Sequence, residues 1–97
     1  MTIILLNPFE VPAGKEQEAI EYWERGAEVL RKAPGYISTR LHRAISPDAR
    51  FHLINLAEWE SPEHFAAATQ SEEFQAAIGA DRAEFPHYPG LYEVIRD

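Results

Sequence analysis

The run Phe51-His52-Leu53-Ile54-Asn55-Leu56-Ala57-Glu58-Trp59-Glu60, closed by Ser61-Pro62, decides the fold. Successive residues of a strand point to opposite faces of its sheet. Phe51, Leu53, Ala57 and Trp59 fall on one parity, Ile54 and Leu56 on the other, so this strand offers apolar surface to both sides. Ser61-Pro62 then supplies a capping hydroxyl and a proline at the first helical position, which ends the strand and opens a helix.

Upstream, Ser46-Pro47-Asp48-Ala49 reads as a turn that returns the chain from a strand over Tyr36–Ala44. A turn centred on Pro47-Asp48 places Arg40, His42, Phe51, Leu53, Asn55, Ala57 and Trp59 on one face. Ile37, Thr39, Leu41, His52, Ile54 and Leu56 then share the other. In this register Arg40 faces Asn55, and His42 and His52 point to opposite sides. Further upstream, Lys15–Ala33 has helical period. Ile20, Trp23, Ala27 and Leu30 form its apolar stripe, with acids at its start and bases at its end, and Pro34-Gly35 stops it. Thr2–Val11 is the first strand, broken by Pro12-Ala13-Gly14.

Downstream of Ser61-Pro62, one helix carries Phe65, Ala68 and Thr69 inward. Ser71-Glu72-Glu73 starts another, with Phe74, Ala77 and Ile78 inward and Gly79 at its end. A loop over Phe85-Pro86-His87-Tyr88-Pro89-Gly90 leads to a last strand, Leu91–Arg96. The order β-α-β-β-α(α)-β predicts a single α+β domain over residues 1–97, a ferredoxin-like βαββαβ unit with an antiparallel sheet. Its helices cover one sheet face. The uncovered face of such a sheet is ordinarily polar, and here it is apolar, so the pattern predicts a homodimer that buries it.

Composition narrows the function. The 97 residues carry a net charge of −7 without a cluster of Lys or Arg, which argues against nucleic acid as a partner. No cysteine is present, so disulfide, thiolate and Cys–metal chemistry are absent. The first six residues are apolar but too few for a signal peptide or a membrane span, and the chain reads as cytoplasmic, with no membrane partner. The five glycines are isolated, so there is no phosphate loop, and no Gly-x-Ser-x-Gly elbow occurs. His42, His52, His64 and His87 lack helical metal-pair spacing, and no metal site is expected. What remains is an apolar, aromatic-lined space between helices and sheet. Asn7 interrupts the inward parity of Ile3, Leu5, Phe9 and Val11. Either it presents an amide to a ligand, or it satisfies a backbone group where Pro8 disturbs the ladder.

Asn7-Pro8-Phe9-Glu10-Val11-Pro12-Ala13-Gly14-Lys15, the acidic helix and Pro34-Gly35-Tyr36-Ile37-Ser38 together resemble the antibiotic-biosynthesis-monooxygenase family of dimeric α/β barrels. So do Leu56-Ala57-Glu58-Trp59-Glu60-Ser61-Pro62-Glu63-His64-Phe65 and Ser71-Glu72-Glu73-Phe74. The resemblance implies subunits paired sheet to sheet, each with a pocket between sheet and helices. It also implies oxidation of electron-rich phenolic or quinol substrates by dioxygen, with no cofactor. Asn7 becomes the polar catalytic anchor. Trp23, Phe65 and Phe74 become apolar walls, and Ala68, Ile78 and His87 complete the substrate pocket. The family's haem-degrading branch has an Asn where Asn7 stands, a Trp at the position of Ala68 and a ligating His at the position of Ile78. Two of these three are replaced, which disfavours haem degradation. A non-catalytic dimer that binds a small hydrophobic or aromatic molecule is the alternative. A haem protein that uses His64 or His87 is the third reading.

Overall fold

The breaks in the sequence pattern set the element boundaries of the computed structural model, which describes residues 2–79 and 84–97. β1 (Ile3–Phe9) leads through the turn at Gly14, φ +79°, into α1 (Glu16–Leu30). β2 (Tyr36–Arg43) and β3 (Leu53–Trp59) form the hairpin. α2 (Pro62–Thr69), α3 (Glu72–Ile78) and β4 (Gly90–Tyr92) follow. The caps are those the sequence indicates: Ser61 Oγ accepts from the His64 N–H at 3.1 Å, and Ser71 Oγ accepts from the Phe74 N–H at 3.2 Å. At the end of α1, Gly35 adopts φ +87°, and a Cβ there would lie 2.3 Å from His64 Cγ. Only glycine permits both that backbone and that contact.

The sheet order is β2-β3-β1-β4, antiparallel throughout. β1 and β3 pair with Asn7 opposite Asn55 and Ile3 opposite Trp59. The molecule measures 38 × 36 × 16 Å, and the short dimension accommodates one sheet and one layer of helices. Along β3, Leu53, Ala57 and Trp59 are buried under the helices, while Ile54 and Leu56 lie exposed on the other side. Trp59 anchors the inner layer, edge-on to Tyr36 at 5.7 Å and to Phe65 at 5.6 Å between ring centroids. Among the described residues no helix is long and apolar enough to cross a membrane.

Three details differ from the sequence reading. The expected hairpin register holds only where Tyr36 pairs with Trp59; a bulge at Ile37 then inserts one residue, and Ser38–Arg43 slide by one. A one-residue slip exchanges the faces of a strand. Thr39 and Leu41 therefore lie on the helix side opposite Ala57 and Asn55, and Arg40 faces Leu56 and not Asn55. His42, opposite Ile54, shares the uncovered face. The buried stripe of α1 is Ala19, Tyr22, Gly26 and Ala27, with Ile20 and Trp23 on its flank. Gly26 explains the rotation: a Cβ there would lie 3.1 Å from Phe74 and 3.2 Å from Ile78, so α3 packs directly on that face. The helix also ends at Leu30, which leaves Arg31 and Lys32 beyond its last turn. Finally, β4 ends at Tyr92, opposite Ile4, and Val94 and Ile95 continue unpaired and exposed.

Candidate active site

A cavity of about 310 Å³ lies between the inner sheet face and the helices. β1, β2 and β3 supply its floor, α1 the side that carries Tyr22 and Trp23, and α2 and α3 the side that carries Phe65 and Phe74. Gln70 and Gln75 add amides between and along the short helices. Among the described lining residues none is Asp, Glu, Lys or Arg. The shifted titrations lie on the surface, away from this space. Glu84 and Glu18 raise the Lys15 ammonium, Glu24 raises the Arg31 guanidinium, and a hydrogen bond to Glu10 raises the Tyr88 phenol.

The floor holds the polar chemistry. Asn7 and Asn55 are cross-strand partners, and both line the cavity. Asn55 is the buried polar residue of the core, 7% exposed, and its Oδ1 accepts a hydrogen bond from Thr39 Oγ1 at 2.6 Å. That bond leaves the two Nδ2 hydrogens of Asn55 as donors. Asn7 Oδ1 is buried without a hydrogen-bond partner among the described residues. An orphaned amide oxygen is costly, roughly 1–3 kcal/mol, and uncommon in a native core. Pro8 and Pro89 stand beside it, and neither has an N–H to offer.

Asn7, Trp23, Phe65, Phe74, Ile78 and His87 all line this cavity. Ala68 does not. It packs 8% exposed in the core with Ile3, Leu5, Ala57 and Trp59, and the next residue, Thr69, reaches the cavity wall. His64 is also elsewhere: its Nδ1 meets Ser61 Oγ at 2.8 Å and it borders a shallow groove between α1 and α2. Tyr88 sits half-exposed and hydrogen-bonds Glu10 at 2.8 Å. The sequence singles out neither Thr39 nor Tyr22, and offers Asn55 only as a partner of Arg40 in an interface contact or a substrate clamp. For Asn55 the signal was present, since it is the one polar residue on the parity of Leu53, Ala57 and Trp59. The misplaced register gave it Arg40 as a neighbour and hid the pairing with Asn7 and Thr39.

Among the described residues no three His, Asp or Glu side chains come together as a metal-binding group. His87 is the cavity-lining histidine. Its Nδ1 lies 3.2 Å from the Phe85 carbonyl, and its ring lies 5.2 Å from that of Phe9.

Comparison with known proteins agrees with this architecture. A candidate monooxygenase from Shewanella loihica is 42% identical, with a TM-score of 0.87 over 99% of this chain and 96% of that one. SnoaB, a cofactor-independent oxygenase from Streptomyces nogalater, shares the fold at 24% identity, with a TM-score of 0.83 over 99% of this chain and 95% of SnoaB. A mycobilin-producing heme oxygenase from Mycobacterium tuberculosis is 28% identical over 79 residues, 81% of this chain and 73% of the relative. The sequence profile described as "Antibiotic biosynthesis monooxygenase" matches residues 2–80, and the chain belongs to that family.

Proposed function

We propose that this chain is a cofactor-independent monooxygenase that oxidises a small hydroxylated aromatic of the quinol or anthrone type with dioxygen, working as a cytoplasmic homodimer. The observation that carries this reading is the amide pair Asn7–Asn55, set in the floor of an otherwise apolar, aromatic-walled cavity, with one amide oxygen unpartnered. The terminal torsion of an asparagine is soft, so a small rotation turns either end of the Asn7 amide to a ligand. A substrate hydroxyl would donate to Asn7 Oδ1. As that hydroxyl becomes a phenolate, Asn55 Nδ2 would donate to it, held in place by Thr39.

The chemistry then needs little from the protein. Loss of a proton leaves an electron-rich anion delocalised over the aromatic system. The anion passes two electrons to dioxygen and bonds to it as a ring peroxide; loss of the hydrogen on that ring carbon then cleaves the O–O bond, so that one oxygen atom stays as a ring carbonyl and the other leaves as water. Trp23, Phe65 and Phe74 would hold the ring plane and exclude bulk water, which strengthens the amide contacts. The Shewanella and Streptomyces proteins support this class of reaction, and the aromatic walls and amide floor support a hydroxylated aromatic as its substrate.

Oxygen uptake with a panel of quinols and anthrones tests the reading. Wild type should consume oxygen with at least one, and Asn55→Ala should lose roughly 10²–10³-fold in kcat, the usual effect of removing one oxyanion donor. Binding of such molecules without oxygen uptake would make the chain a ligand-binding module instead.

The mycobacterial relative motivates haem as a second reading. The cavity fits haem poorly in the way that branch holds it, because Ile78 occupies the ligand position and a hydrocarbon side chain has no lone pair to give. A Soret shift on titration with haem, abolished in His87→Ala, would reverse that judgement.

A further inference from the structure

We propose that His87 is the base of this site, its Nε2 taking the hydroxyl proton of the bound aromatic. This rests on the monooxygenase reading and adds the proton acceptor that the amide floor lacks. Among the described lining residues, amides and hydroxyls stand alongside one imidazole, and of these only the imidazole presents a basic lone pair while uncharged.

The ring's orientation follows from its contacts. Nδ1 lies 3.2 Å from the Phe85 carbonyl oxygen. A carbonyl accepts hydrogen bonds and never donates them, so Nδ1 carries the proton and Nε2 the lone pair. The carbonyl belongs to a fixed residue, since Phe85 is 1% exposed and packs against Tyr22 at 5.5 Å. The backbone around His87 is held as well. His87 bridges to Phe9, the Glu10 N–H donates to the Pro86 carbonyl at 2.8 Å, and the Tyr88 N–H donates to the Pro8 carbonyl at 3.1 Å. These contacts continue the register of β4, in which Leu6 faces Gly90, so Pro89 lies opposite Asn7 and His87 one alternation further along the same face. Diagonal neighbours on one sheet face are about 7–8 Å apart at the backbone and somewhat closer at Cβ, so an amide and an imidazole there reach toward the same space. One substrate hydroxyl, hydrogen-bonded at ~3 Å to each of two groups, joins side-chain atoms up to about 6 Å apart. A hydroxyl held by Asn7 therefore lies within reach of His87.

In the step, the substrate O–H bond breaks and an N–H bond forms at Nε2. The bonding electron pair stays on the substrate oxygen as phenolate, and the imidazolium keeps its Nδ1–H on the Phe85 carbonyl. The anion then reduces dioxygen and bonds to it as a peroxide, the imidazolium returns its proton to the outer oxygen, and loss of the hydrogen on the oxidised ring carbon cleaves the O–O bond and completes the water that leaves.

Two measurements test the assignment. The first uses 4-nitrophenol, whose anion absorbs in the visible and which dioxygen does not oxidise. At a pH where the free probe is mostly neutral, wild-type protein should generate the anion on binding, and His87→Ala and His87→Gln should not. A wild type that yields no anion, or variants that still yield it, overturns the proposal. The second is oxygen uptake. His87→Ala should lose ~10²-fold or more in kcat with little change in KM, and added imidazole should restore part of the loss. A His87→Ala enzyme that turns over at the wild-type rate overturns the proposal while leaving the monooxygenase reading intact. Wild type that takes up no oxygen from any substrate defeats that reading, and the optical result then decides the base by itself.

Discussion

The two faces of the sheet arise from the same strands and the same alternation, and each carries residues that its surroundings should reject. Toward the helices, among Leu5, Phe9, Leu53, Ala57 and Trp59, stand the amides of Asn7 and Asn55. Away from them, in contact with water, stand Ile54 and Leu56 at 38% exposure each and Tyr92 at 55%, beside Ile4 and Leu6. Alternation normally sorts residues so that the covered face is apolar and the open one polar. Here the covered face has a polar centre and the open face an apolar one. Both departures lower the stability of the isolated chain, and such departures concentrate where a protein meets something else. In the reading proposed above, a ligand relieves the inner face and a second copy relieves the outer.

The outer face gives the largest expected effect. If it is buried against a second copy, Leu56→Lys places an ammonium opposite the Arg40 guanidinium at the centre of that contact. A buried charge without a satisfied partner costs about 3–5 kcal/mol, which weakens association by roughly 10²–10⁴-fold. Equilibrium sedimentation should show a wild-type dimer and a monomeric or unfolded variant. A wild type that sediments as a monomer throughout would break the comparison, because the apolar outer face would then be simply tolerated.

The inner face gives an effect of opposite sign on stability. Asn7→Leu removes the unpartnered amide oxygen and keeps the side chain's approximate size. The variant should be as stable as wild type or more so, by about 1 kcal/mol, in denaturant unfolding, while losing oxygen uptake. A loss of stability instead would mean that Asn7 serves the ladder beside Pro8, the other reading its sequence position allows.

How much of this was legible beforehand differs between the faces in the same way. β1 and β3 read correctly from parity, because each carries a long apolar alternation that fixes its own orientation. β2 did not. Ile37, Leu41 and Thr39 against Arg40 and His42 make a weak alternation, and its register depends on a bulge that no residue in Tyr36-Ile37-Ser38 announces. α1 failed for a related reason: its large side chains, Ile20 and Trp23, define one stripe, but its small ones, Ala19 and Gly26, mark where α3 approaches closely. Ala68 and Ile78 came from resemblance, position by position. On α2 a single residue separates Ala68 in the core from Thr69 on the cavity wall, while Ile78 on α3 does reach that wall.

The smallest expected effect tests whether the two amides act as one unit. Thr39 Oγ1 donates to Asn55 Oδ1 inside the covered layer. Thr39→Val conserves shape but removes the donor, so the Asn55 oxygen becomes a second orphan beside that of Asn7. The cost should be about 1–2 kcal/mol in unfolding free energy, the range for an abandoned buried acceptor. Asn55→Leu leaves the Thr39 hydroxyl to find another partner, which a hydroxyl does by rotating, and should cost less. With both changes made, the polar pair is replaced by apolar groups and most of the Thr39→Val penalty should vanish. The double-mutant cycle would then show favourable coupling between wild-type Thr39 and Asn55 of roughly 1 kcal/mol, as expected for residues in direct contact. Oxygen uptake should not follow stability around that cycle. The double variant should be nearly as stable as wild type and yet inactive, because the inner face would then have become what alternation alone would make it.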